Sequence, residues 1–135
     1  MDYIRLVISD CHLGSVNSRP EQILDLLKNT KFDELILAGD IIDFIKIPSF
    51  TKASGLLFDF VMQLDKPVVY IVGNHDYGFK NYVGQTINNV AFVDQYDFVY
   101  KKRKYRIEHG DKYEQGIVHW KITMKFISLI QDVLE

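Results

Sequence analysis

The sequence predicts an α/β fold built on a parallel sheet, and three observations predict it. Short apolar, β-rich runs recur at Tyr3–Ser9, Glu34–Ala38 and Val68–Val72. Segments with helical spacing separate them. Each run stops abruptly at a polar or glycine signal: Asp10, Gly39-Asp40 and Gly73-Asn74. Strand, helix, strand, helix, strand at these lengths implies right-handed crossovers and parallel pairing.

Each element has its own local reason. Tyr3–Ser9 reads as a buried strand. Pro20–Asn29 reads as a helix, with Pro20 suited to its first turn and Glu21 to its positive end. Ile23, Leu24, Leu26 and Leu27 supply its apolar side. Ser49–Leu64 repeats the helical pattern through Leu56, Leu57, Phe60, Val61 and Leu64, with Ser49 as the expected cap. Val90–Phe92 is a further short strand. Tyr96–Tyr100 and Tyr105–Glu108 read as a hairpin around a solvated basic turn, Lys101–Lys104; a phosphate-contacting role is the other reading of that cluster. From Gln115 to Leu134 the spacing predicts a long helix with a narrow polar stripe and apolar residues on two faces, which calls for burial on two sides.

Bulk properties narrow the class. At 135 residues the chain is one domain. A net charge of −2 gives no sign of a general nucleic-acid or membrane-surface binder. A single cysteine, Cys11, rules out an intrachain disulfide and fits a reducing, cytoplasmic setting. The first residues do not form a secretory signal, and no apolar run is long enough to span a bilayer.

The chemistry-bearing residues share one kind of position. Asp10 and His12 follow the first strand, Asp40 the second, Asn74 and His75 the third, and His109 ends the strand after the hairpin. Ligand sites of open parallel sheets form at the carboxyl ends of strands, so these residues should converge. Asp10 and His12, two apart in extended chain, should face one way and Cys11 the other. Asp40 follows a glycine that permits a tight turn, and its two oxygens suit it to bridge two ions. Asp43 is expected to orient a ligand. Asn74 offers an amide oxygen. His75 is a candidate proton donor, with Asp76 beside it in sequence to orient or acidify it. Mixed oxygen and imidazole donors favour Mn²⁺, Fe or Zn²⁺, with Mn²⁺ first. Two such ions about 3.5–4 Å apart would clamp a phosphate and hold a hydroxide for in-line attack. A metal-free phosphate-binding module would instead need a glycine-rich loop, which the sequence lacks.

Asp10-x-His12, Gly39-Asp40-x-x-Asp43, Gly73-Asn74-His75-Asp76 and His109-Gly110-Asp111, in that order, resemble the calcineurin-like metallophosphoesterases. The stretch Ser9–Gly14 and the His-Gly-Asp form of the last motif look most similar to the branch containing UDP-2,3-diacylglucosamine pyrophosphohydrolases. The resemblance runs from about Ile4 to Glu114. It implies a β-sandwich flanked by helices (α-β-β-α). It also implies one metal held by Asp10, His12 and Asp40, a second by Asp40, Asn74 and His109, and His75, assisted by Asp76, protonating the leaving group. An arginine often stands at the His75 position in the lipid-linked pyrophosphohydrolases, so His75 points to the general phosphoesterase pattern. The family's closing G-H-x-H motif is absent: of four histidines, only His119 is unassigned, and it has no partner two residues away.

The expected function is therefore metal-dependent hydrolysis of phosphate esters or pyrophosphate bonds in a small, nucleotide-type substrate. The alternative is a shortened, weakly active or inactive metal-binding remnant that self-associates. The expected domain is a metallophosphoesterase unit over residues 1–135, truncated at its C-terminal side and dimerising through Trp120–Leu134.

Overall fold

A computed structural model of the protein describes residues 3–42 and 51–110. The expected helix over Gln115–Leu134, with Asp43, Asp111, His119 and the dimerising surface, lies outside the described residues.

Five strands form the main sheet: β1 (Arg5–Ile8), β2 (Glu34–Ala38), β3 (Val68–Ile71), β4 (Thr86–Ile87) and β5 (Val90–Val93). Their order is β1-β2-β3-β5-β4. The first three and β5 pair in parallel, and β4 returns antiparallel along β5. The first two crossovers carry the helices α1 (Pro20–Asn29) and α2 (Lys52–Met62). Successive strands add in one direction, so right-handed crossovers place both helices on one face.

The strand alternation explains the layers. Leu6, Leu35, Leu37, Val68, Tyr70, Val90 and Phe92 face the helices and pack with Leu27, Leu57 and Val61. Val7, Ile36, Ala38, Val69 and Ile71 face the other way and are covered by Phe98 and Ile107. Those two belong to a second, two-stranded sheet of β6 (Gln95–Tyr100) and β7 (Arg103–Glu108). The described residues thus form helix layer, sheet and second sheet, the first three layers of the expected sandwich. Central strands buried on both faces read as continuous apolar runs, which is why β2 and β3 are uniformly buried.

A polar cluster ties the sheets together at the end where β1 and β2 begin. Arg5 Nε donates to Glu34 Oε1 at 2.9 Å, and the Tyr96 hydroxyl donates to the same carboxylate at 2.9 Å from Oε2. The Arg5 guanidinium also lies over the Phe98 ring, 4.4 Å from its centroid.

Several expectations need correction. Helix α2 starts at Lys52, and its cap is Thr51, whose side chain accepts the Ser54 N–H at 3.1 Å. The basic turn is shorter than four residues. Only Lys101 and Lys102 make it, both at positive φ (49° and 65°), while Arg103 and Lys104 pair with Tyr100 and Val99. β7 runs from this turn toward His109, and six strand residues span about 20 Å. The basic turn therefore stands at the far end of the hairpin from His109 and cannot contact a phosphate held there.

Candidate metal centre

Each expected site residue leaves the end of a strand, and the backbone there is unusual. Asp10 (φ 57°), His12 (φ 48°) and Asp40 (φ 52°) all adopt the left-handed region, as does Gly39 (φ 86°). Non-glycine residues seldom do so, and such strain collects where surrounding structure over-determines it. Here the parallel ladder continues past the strands. Asp10 N–H donates to Gly39 O (3.0 Å), His12 N–H to Asp40 O (3.0 Å) and Leu13 N–H to Ile41 O (2.8 Å). Asp10 and His12 do turn to a common site, but through left-handed turns and not through extended chain. Cys11 points away and packs against the helix-side core. Burial first, and then the Asp10 and Asp76 charges, push its thiol up to about 12.

Around Asp40 the side chains converge. Its Oδ2 lies 3.2 Å from His109 Nε2. Its Oδ1 accepts the His75 N–H at 2.9 Å. His109 Nε2 also lies 3.5 Å from Asp10 Oδ1, and His12 Nε2 is 3.6 Å from that oxygen. The His12 and His75 rings meet edge-on, with centroids 4.8 Å apart. Asp40 is 7% exposed and Asp10 56%, so the cluster is open to solvent at Asp10. Burial pulls both carboxyls upward. Burial is the largest single influence, but hydrogen bonds from His109, and from Ser9 at Asp10 or the His75 N–H at Asp40, together with the nearby histidine charges, outweigh it jointly, and both end below the usual range.

Two triads have metal-binding spacing: His12, Asp40 and His75, and Asp10, Asp40 and His109, with ligand atoms all within 4.8 Å of one another. Asp40 is the residue common to both. The triads partition the side chains differently from the sets implied by resemblance, since His75 joins His12 and Asp10 joins His109. Asn74 sits in the loop after β3 with its Oδ1 buried.

The donor set fits divalent metal ions, and the backbone is cut to make room for it. A Cβ on Gly73 would lie 2.5 Å from Asp40 Oδ1 and 3.2 Å from His109 Cγ. A Cβ on Gly39 would lie 2.6 Å from His109 Cγ. The glycines of the Gly39-Asp40 and Gly73-Asn74 signals are thus the space into which Asp40 and His109 fit.

Asp76 occupies a different place from the one its neighbour suggests. It is fully buried, and its carboxylate accepts five hydrogen bonds. Donors are the N–H groups of Asp40, Ile41 (2.9 Å), Ile42 (2.8 Å) and Gly73 (3.0 Å), and the Tyr70 hydroxyl (2.5 Å). The carboxylate thus fastens the turn after β2 to the loop after β3. In the sequence Tyr70 reads only as a strand residue. Its place on the helix-facing side, four residues before Asn74, was the available signal.

A profile of the calcineurin-like phosphoesterase family matches residues 5–130. The protein belongs to the calcineurin-like phosphoesterase family. The cAMP/cGMP dual specificity phosphodiesterase of Mycobacterium tuberculosis (strain CDC 1551 / Oshkosh) is 32% identical over 87 residues, covering 56% of this chain. The chain spans 27% of that relative's length. The candidate ligand groups are consistent with the metal-dependent phosphoester hydrolysis of that family. No helix among the described residues is long and apolar enough to cross a membrane.

Proposed function

We propose that the protein hydrolyses phosphate esters or pyrophosphate bonds at a two-metal centre organised by Asp40. The observation that carries this reading is that Asp40 lies at ligand spacing from His12 in one cluster and from Asp10 and His109 in the other, with His75 beside the first. Asp10, His12, Asp40, Asn74 and His109 are the proposed ligands, with Mn²⁺ the first metal to test and Fe or Zn²⁺ next. Bound metals would polarise the phosphoryl oxygens and lower the pKa of the attacking water.

The chain's own residues do the rest. Asp40 presents one oxygen toward His109 and the other toward the loop carrying His75. Asp10, the most open of the carboxylates, borders the side from which substrate arrives. His75 stands edge-on to His12 and is the proposed donor of a proton to the leaving oxygen. Asp76 supports it through the backbone of its loop. The relative's named activity supports a cyclic nucleotide phosphodiester as a substrate class to try, for which an aryl phosphodiester is a generic chromogenic probe.

The test is hydrolysis of bis(p-nitrophenyl) phosphate with added Mn²⁺, comparing wild type with His75→Asn. The reading expects activity in the wild type and a loss of about 10²-fold or more in kcat in the variant, the scale of general acid catalysis. Equal turnover in the two would remove His75 from the chemistry.

A further inference from the structure

We propose that Tyr70 is a positioning residue, acting through Asp76 to hold Asp40 in the left-handed pose that lets it serve both triads. The inference rests on the metal-centre reading above and adds to it a residue outside the motifs.

Tyr70 lies on β3 among the helix-facing core residues and is 1% exposed. Its ring is well accounted for by packing, with Phe79 and Phe92 each 5.3 Å away between centroids. A phenylalanine would make those contacts equally well, so packing does not explain the hydroxyl. The hydroxyl donates to Asp76 Oδ1, which also receives Ile41 and Ile42 N–H, while Oδ2 receives Asp40 and Gly73 N–H. A carboxylate offers about four lone-pair sites, so these donors saturate it and leave it one orientation.

The consequence falls on Asp40. Its φ of 52° is disfavoured for a residue with a side chain. Its own N–H and the two that follow point at Asp76, so this carboxylate is what the strained turn wraps around. Gly73, also a donor to Asp76, begins the loop carrying Asn74 and His75. One buried anion thus sets the spacing of the loops that carry Asp40 and His75. Without the Tyr70 hydroxyl, Asp76 keeps its backbone donors but loses the side-chain donor that, among the described residues, anchors it to the sheet. Burial, with the Asp76 charge, pushes the phenol well above its ordinary value, so the hydroxyl stays a donor across the working pH range.

The test is Tyr70→Phe in the full chain, with Mn²⁺ binding measured by titration calorimetry and thermal unfolding measured after chelation. Mn²⁺ affinity is expected to fall about 10–100-fold, as for other groups that orient metal ligands. Exchange of the Ile41 and Ile42 amide hydrogens should speed up in parallel. Unchanged affinity in a folded Tyr70→Phe protein overturns the inference, because the hydroxyl then serves only the core. A variant that does not fold overturns it too, since the hydroxyl then holds the fold and not the site. Failure of the wild type itself to bind Mn²⁺ is a different result: it removes the metal-centre reading, and this inference with it.

Discussion

His109 Nε2 stands 3.2 Å from Asp40 Oδ2, so the end of β7 in the second sheet meets the turn after β2 in the first. The contact exists because residues 39 and 73 carry no side chain: a Cβ at either would enter the space of the His109 ring or the Asp40 carboxylate. Sheet packing and site formation are therefore one event. The hairpin that covers Val7, Ile36 and Ile71 also delivers His109.

The glycines should accordingly be intolerant of the smallest side chain. Gly39→Ala combines a positive φ with a clash against a ring held in place, and should destabilise by about 1–3 kcal/mol. At Gly73 φ is ordinary, but an added Cβ would meet the Asp40 backbone N (2.9 Å) and carboxylate, so Gly73→Ala should destabilise on a similar scale and also displace Asp40 and weaken Mn²⁺ binding at least about tenfold. Thermal unfolding and metal titration of both variants check this. Normal metal binding in Gly73→Ala would show that the Asp40 position is not critical.

The opposite end of the sheet should behave differently. Glu34→Ala removes the acceptor of Arg5 and Tyr96 and leaves a guanidinium that is only 15% exposed. Breaking a buried pair from one side costs about 3–5 kcal/mol, and the partial exposure of Arg5 lowers the expectation to about 2–3 kcal/mol. Metal affinity of the folded variant should stay at the wild-type value, because this cluster lies where the strands begin. Urea unfolding paired with metal titration separates the two effects.

Cys11 should be chemically quiet despite lying between Asp10 and His12. With its thiol pushed up to about 12, the thiolate is scarce at neutral pH. Roughly one thiol in ten thousand is ionised at pH 8, against roughly one in four at an ordinary value of about 8.5. The deprotonated form gains tenfold per pH unit, so the rate of iodoacetamide labelling should still be climbing at pH 10. An unperturbed thiol would level off near pH 9. Labelling rates of native and urea-unfolded protein between pH 7 and 10 measure this, and a native rate equal to the unfolded one would contradict the burial.

Much of this was legible in the sequence. β1, β2 and β3 are apolar runs ended by polar signals, and those signals carry the site residues. α1 matched its predicted span because Pro20 and the residue pattern set both ends. The family resemblance, carried by four short motifs, is upheld by the match over residues 5–130. Other features left little trace. β4 is two exposed residues, and the 3₁₀ helix Tyr77–Tyr82 lacks a periodic apolar face. The left-handed turns at Asp10, His12 and Asp40 come from the ladder continuing between two loops, a tertiary effect that residue spacing cannot show. For the same reason Asp76 read as a partner of its neighbour His75, although its carboxylate is spent on residues 40–42, 70 and 73, most of them distant in sequence.

Mn²⁺ stoichiometry and affinity of wild type and Asp40→Ala, measured on chelated and refilled protein, test the central claim most directly. The account predicts two Mn²⁺ per wild-type chain, and loss or at least about 100-fold weakening of both in the variant, since Asp40 belongs to each triad. Turnover of a phosphodiester should disappear with them. Equal stoichiometry and affinity in the two proteins would contradict the account.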